Sequence, residues 1–206
     1  FEGNVDMFLS CGYEPSSLGN GCVPVDIDVS PFDNSGSHKA GVSRTYKNFD
    51  SYAPIYVYIG TEGYLCNTEL REGKQHCQSG TPEFLAETIA AAKQMTKKSL
   101  LFRMDSGNDA LENMLLLHWQ DPQVKFLIKH IFRREDRYAI AEKLKSVCKN
   151  VKHPREGKTV YIGSTWRNFE TEKNEKFAIR MVYEITERTT TADGSRTEVT
   201  LISWSL

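Results

Sequence analysis

Hydrophobic residues along this chain fall into short runs, set apart by polar, turn-forming stretches. Val23, Val25, Ile27 and Val29 alternate with Pro24, Asp26, Asp28 and Ser30, which predicts a strand with one apolar face. Pro54 to Ile59 is β-branched and aromatic, and Thr61-Glu62-Gly63 turns it into Tyr64 to Leu70. That pair predicts a hairpin. Thr81-Pro82-Glu83 has the form of a helix start, with Thr81 as N-cap, and Phe84, Leu85, Thr88, Ile89 and Ala92 form the buried stripe. Ser99 to Met104 is a short apolar run ending at Asp105-Ser106-Gly107-Asn108-Asp109. Leu111, Met114, Leu115 and His118 mark a further helix, with Asn108 and Asp109 placed to cap it.

Val124 to Lys129 predicts another strand, and Arg133 to Lys149 a basic helix, which Asn150 to Gly157, containing His153-Pro154-Arg155, breaks. In the tail, Thr159 to Ile162, Phe177 to Thr186 and Thr197 to Trp204 have strand character, with Asp193-Gly194 as a hairpin turn before the last. Residues 1–22 carry turn chemistry, and 31–52 read as a long polar loop. The order is three strands, helix, strand, helix, strand, then a helix and a β-rich tail. The first three strands can form an antiparallel meander, with the fourth and fifth running parallel to the first. This order resembles the ribonuclease H-like fold: an α/β mixed sheet flanked by helices, with a β-rich insertion at its C-terminal end. The domain division it suggests is 1–22 as a lead-in segment, 23–150 as the core and 151–206 as the insertion.

The alternation gives the chemistry its first foothold. Asp26 and Asp28 project from one face of the first strand. Two adjacent carboxylates repel each other unless a cation or proton lies between them. In open α/β sheets ligands bind beyond the carboxyl ends of strands, where Asp28 ends the first strand and Asp105 the fourth. If those strands are neighbours, the two acids converge and can hold a hard, oxygen-seeking cation such as Mg²⁺ or Mn²⁺.

Composition narrows the classes. With 206 residues and a net charge of −1, the chain is not a uniformly basic nucleic-acid binder. Between Lys125 and Lys158, however, eleven Lys or Arg face four acids, so the remainder is acidic. A basic segment beside an acidic site suits a metal-dependent enzyme acting on a polyanion. No apolar run is long enough to span a membrane. Cys11, Cys22, Cys66, Cys77 and Cys148 show no zinc-ligand spacing and read as reduced thiols. A start at Phe1 reads as a fragment.

Several longer strings, DIDVSPFDNS, GVSRTYKNFDSYAPI, GTEGY, ELREGKQHCQSGTPEFL, LLFRMDSGNDALEN and PREGKTVYIG, are similar to those of bacterial insertion-sequence transposases with a DDE domain. They occur in the family's order from about Val23 to Arg188. The resemblance implies a DNA transposase core: hydrolysis of a phosphodiester at the element's end, then attack of the freed 3′-hydroxyl on target DNA. It implies three carboxylates and two Mg²⁺ or Mn²⁺ ions. The first carboxylate is expected at Asp28, with Asp26 as alternative or support, and the second at Asp105. The third, a glutamate in a later His-Gly-containing segment, is not reached before Leu206, so a C-terminal truncation is expected. Glu184, Glu187 and Glu198 lie in expected insertion strands and are not promoted. Transposon ends and target DNA are the implied partners, with a homodimer in the full-length protein and a cytoplasmic, nucleoid-associated location.

Lys129, Arg133, Arg134 and Arg137 are the candidate DNA-phosphate contacts. Arg71 and His76 follow the third strand and could approach the site. Trp119, Trp166 and Trp204, with Tyr46, Tyr52, Tyr56, Tyr58 and Tyr64, are expected to pack. Two other readings stay open. A haloacid dehalogenase-like phosphohydrolase would use Asp26 as nucleophile, Asp28 as acid/base, and Asp105 and Asp109 for Mg²⁺, but requires a helix soon after the first strand. The other is an inactive, DNA-binding transposase remnant.

Overall fold

The computed structural model describes residues 2–120, 124–171, 176–190 and 194–205. It comprises two compact units, Phe1–Phe126 and Leu127–Leu206. The first unit carries α1 (Glu2–Ser10), β1 (Val23–Val29), a two-residue hairpin of β2 (Ser43–Arg44) and β3 (Asp50–Ser51), β4 (Ile55–Ile59) and β5 (Tyr64–Glu69). Then come α2 (Thr81–Met95), β6 (Leu100–Met104), a 3₁₀ turn over Ser106–Asn108 and α3 (Leu111–His118). The units divide within β7 (Val124–Lys129).

The principal strands are ordered β5-β4-β1-β6-β7. β4 is antiparallel to both β1 and β5, and β6 is parallel to β1. This mixed sheet is ribonuclease H-like, as expected. Its apolar face follows from the alternation. Val25 pairs with Ile59 on one side and Phe102 on the other, and Ile27 with Val57 and Met104. All six are buried. α2 lies against β5 and contacts α1 and α3. Its buried stripe is the expected one, extended by Thr81 and Met95.

Between Ser30 and Pro54 the chain forms loop and the small β2–β3 hairpin, with no helix. The strand order and this missing helix remove the basis of the dehalogenase reading.

Several local expectations are corrected. Residues 1–22 hold α1 as well as turns. The N-cap of α2 is Gly80, in the left-handed region at φ 73°, while Thr81 is the first helical residue. The Thr81 hydroxyl donates to the Cys77 carbonyl (2.6 Å) and accepts from Arg71 (3.0 Å), so it is engaged away from the helix end. Neither Asn108 nor Asp109 caps α3, which is preceded by Ala110 without a side-chain cap. Its buried side is Asn113, Met114 and Leu117, while Leu111 and His118 are exposed.

In the second unit α4 (Arg137–Val147) precedes an antiparallel meander of β8 (Asn150–Arg155), β9 (Lys158–Glu170), β10 (Lys176–Thr190) and β11 (Gly194–Ser205). Ala141 and Leu144 pack on Met181, Tyr183 and Ile185. The helix starts four residues later than expected. The Asp136 carboxylate accepts from the Tyr138 and Ala139 amides (2.9 and 3.2 Å), which fixes the first turn and leaves Arg133 and Arg134 in the preceding loop. β8 forms in the segment that breaks the basic helix. Pro154 is tolerated there because β8 is the outer strand of the meander, with an irregular register between Lys152 and Arg155. Asp193 of the expected Asp193-Gly194 turn lies outside the described residues.

Candidate metal centre at the ends of β1 and β6

The site is built by strand register. β1 and β6 pair in parallel through Asp26 opposite Arg103 and Ile27 opposite Met104. Asp105 follows with φ −74° and ψ −179°, so its backbone stays extended one residue past β6. The next position on each strand therefore sets Asp28 beside Asp105, on neighbouring strands about 5 Å apart. Because side chains alternate, both lie on the face opposite Ile27 and Met104. Both are exposed.

The Asp28 carboxylate accepts from the Ser30 hydroxyl through Oδ2 (2.8 Å). Asp105 is held more closely. Its Oδ1 accepts from the Gly107 amide (3.0 Å) and from Asn108 Nδ2 (3.0 Å). Both donors meet the same oxygen, which orients the other outward. The 3₁₀ turn makes this possible, since it folds Gly107 and the buried Asn108 back over the carboxylate. A Cβ at residue 107 would sit 3.1 Å from Asp105 Oδ1 and 3.2 Å from Cys77 Sγ, so glycine lets the turn close. The Cys77 thiol donates to the Gly107 carbonyl (3.0 Å). Burial, and then the nearby Asp105 charge, push that thiol above its ordinary value.

Asp26 is in a different state. Arg103 donates Nε to its Oδ1 and Nη2 to its Oδ2, each at 2.5 Å. These hydrogen bonds hold the guanidinium above its ordinary pKa. Both Asp26 oxygens are thus occupied, which disfavours it as a metal ligand or nucleophile and leaves Asp28 as the open carboxylate of β1. Arg103 was not singled out in the sequence. Its signal was parity: it stands two residues before Asp105, as Asp26 stands two before Asp28.

Across β1 from these acids, Tyr58 pairs with Asp26 and Tyr56 with Asp28. The two rings stack at 6.3 Å and 21°, and Tyr58 is 41% exposed. Tyr46, Trp119 and Trp166 are largely exposed, against the expectation that they pack. The Tyr46 hydroxyl reaches the Val29 carbonyl (3.3 Å) at the end of β1. The side chain of Trp204 lies outside the described residues.

Arg71 does not serve the site. It is buried, donates to Glu69 (2.6 Å), the Cys77 carbonyl (3.2 Å) and Thr81 (3.0 Å), and lies over the Phe84 ring. It ties the loop before α2 to β5. His76 is exposed, and its Nδ1 accepts from the Gln78 amide (3.3 Å). Asp109 is buried. Lys129, Arg133, Arg134 and Arg137 are all exposed, between the end of β7 and the first turn of α4. Arg137 stacks on Tyr138. Glu187 accepts from Lys145 (2.6 Å) and from the Tyr161 hydroxyl (3.0 Å).

The donor set at β1 and β6 is two carboxylates, each with an oxygen not engaged by the protein among the described residues. That chemistry fits a hard divalent cation such as Mg²⁺ or Mn²⁺. Among the described residues no group of three or more His, Cys, Asp or Glu stands ready to enclose a metal ion. Nor, among them, is any helix long and apolar enough to cross a membrane.

No protein-family model matches the chain, and no curated protein matches it. Among solved structures it is similar to the cryo-EM structure of a piggyBac transposase synaptic complex with hairpin DNA. The TM-score is 0.44 and the identity 14%, over 87% of this chain and 32% of that chain. This chain thus spans about a third of the length of the protein it matches.

Proposed function

We propose that this chain is part of the catalytic core of a DNA transposase of the bacterial insertion-sequence DDE type. On this reading Asp28 and Asp105 supply two of its metal-binding carboxylates. The observation that carries the reading is the placement of these two acids side by side at the carboxyl ends of adjacent parallel strands, in a ribonuclease H-like sheet. The strings around them, DIDVSPFDNS and LLFRMDSGNDALEN, are those on which the family resemblance rests.

The chemistry is phosphodiester hydrolysis that frees a 3′-hydroxyl, followed by attack of that hydroxyl on a target phosphodiester. Bound Mg²⁺ or Mn²⁺ would lower the pKa of the attacking oxygen and offset charge on the leaving one. Asp28 and Asp105 bind and orient. Ser30 steadies the first carboxylate, and Gly107 with Asn108 the second. Lys129, Arg133, Arg134 and Arg137 offer exposed positive charge for DNA phosphates. Transposon ends and target DNA are the partners of this reading, with a homodimer in the full-length protein and a nucleoid-associated, cytoplasmic setting.

Titration of the purified chain with Mn²⁺, followed by electron paramagnetic resonance, tests the assignment. Asp28→Asn and Asp105→Asn should each weaken binding by at least tenfold, and Asp109→Asn should not. Unchanged Mn²⁺ affinity in both of the first two variants would refute it.

A further inference from the structure

Arg103 and Asp26 occupy the row next to the candidate centre. They lie opposite each other on β6 and β1, on the face that carries Asp28 and Asp105. The pair is half-exposed, with side-chain accessibilities of 42% and 43%, so it is not there to fill the core. The guanidinium stays charged at any working pH, and its planar fork occupies both oxygens of Asp26. Without it, β1 would present two free carboxylates about 7 Å apart along one face.

We infer that Arg103 is a positioning residue that keeps Asp26 out of the metal centre, so that β1 contributes Asp28 alone. The inference rests on the function proposed above. It makes Asp26 and Arg103 a counterbalanced pair of charges beside the metal position. Removal of one member leaves the other uncompensated, and the two removals act in opposite directions.

The size of the effect follows from Coulomb attraction at that spacing. A unit charge about 7 Å from a divalent ion, in surroundings close to those of water and at moderate salt, changes affinity roughly three- to tenfold. Arg103→Ala should tighten Mn²⁺ binding by that factor, and Asp26→Asn should weaken it by a similar one. The double variant should return to the wild-type affinity, and Arg103→Lys, which keeps the charge, should stay near it. A pair that serves only the fold would move both single variants in the same direction.

The experiment is Mn²⁺ titration of the full chain and these four variants, with Asp105→Asn alongside and folding followed by circular dichroism. Opposite shifts for Arg103→Ala and Asp26→Asn in folded protein support the inference. Shifts of the same sign, or none, overturn it, as does an Arg103→Ala chain that no longer folds while Arg103→Lys binds as weakly as Asp26→Asn. Asp105→Asn separates the two levels. If it abolishes binding while Arg103→Ala changes nothing, the metal site stands and the role of Arg103 falls. If it has no effect, the metal site itself falls.

Discussion

Asn108 offers a test in which stability and metal affinity should part company. Its side-chain amide donates to Asp105 Oδ1 at 3.0 Å, while its own Oδ1 is buried without a hydrogen-bond partner. Turning the amide over would point that oxygen at the carboxylate, so this orientation is the favourable one. Asn108→Ala removes a hydrogen bond to a charged group, worth about 1.5–3 kcal/mol when both ends are buried. Here Asp105 is exposed and water replaces the donor, so the loss lies at the lower end. The same substitution removes the unsatisfied oxygen, whose burial costs about 1–3 kcal/mol. The two effects oppose each other, and unfolding free energy should change by no more than about 1 kcal/mol.

Metal affinity has no such offset. Asp105 would keep the Gly107 amide and lose the other group that fixes its carboxylate. Loss of a partner that orients a metal ligand typically lowers affinity about 10- to 100-fold, and with one donor retained the expected loss is about tenfold. Urea denaturation and Mn²⁺ titration of the same preparations measure the two quantities. A fall in stability of several kcal/mol would show that Asn108 chiefly supports the fold. Unchanged affinity with unchanged stability would show that orientation of Asp105 is unimportant.

Three further outcomes follow from other parts of the molecule. Asp136→Ala removes the cap of α4 and should destabilise the second unit by about 1 kcal/mol, seen as a lower thermal midpoint. The Glu187 carboxyl is held below its ordinary 4.5 by the hydrogen bond from Lys145, which outweighs the opposing effect of burial, with a further contribution from Tyr161. Its folded-state pKa is depressed, so its stabilisation is complete above the unfolded value and is lost as pH falls through the folded one. Lys145→Met should therefore flatten the decline in stability below pH 4.5, and an unaltered acid limb would contradict this. Burial pushes the Cys66 thiol up to about 12. Alkylation of native protein at pH 8 should modify exposed Cys11 and spare Cys66 until urea is added.

The elements legible in the sequence are those whose burial is periodic. β4 and β7 alternate against a core face, β1 does so from Val25 onward, β6 is a short apolar run, and α2 carries five of its buried residues at helical spacing. Elements without that signal were not. In α1 just one described side chain, Val5, is among the buried residues. Every residue of β8 is exposed, so it has neither an apolar face nor, with Pro154, a favourable composition. Thr81 and Asn108 have the right type for helix caps, but their side chains are claimed by Arg71 and Asp105, which local sequence does not reveal. The site divides in the same way. Alternation placed Asp26 and Asp28 on one face and could not choose between them, because both satisfy it equally. What distinguishes the two is Arg103, which is bound to Asp26 from 77 residues away in the chain and reaches it only through the register of two strands.

That separation has a kinetic consequence. β1 can acquire β4 through a nearby connection, but it meets β6 only after the hairpin and α2 have been accommodated, at the cost of closing a long loop. Asp28 and Asp105 become neighbours in the step that buries Phe102. A chain still emerging from the ribosome, or one arrested with its meander formed, carries Asp26 and Asp28 on β1 with neither Asp105 nor Arg103 beside them. On the function proposed, the pair of carboxylates that would hold a divalent ion is then assembled only together with the finished core.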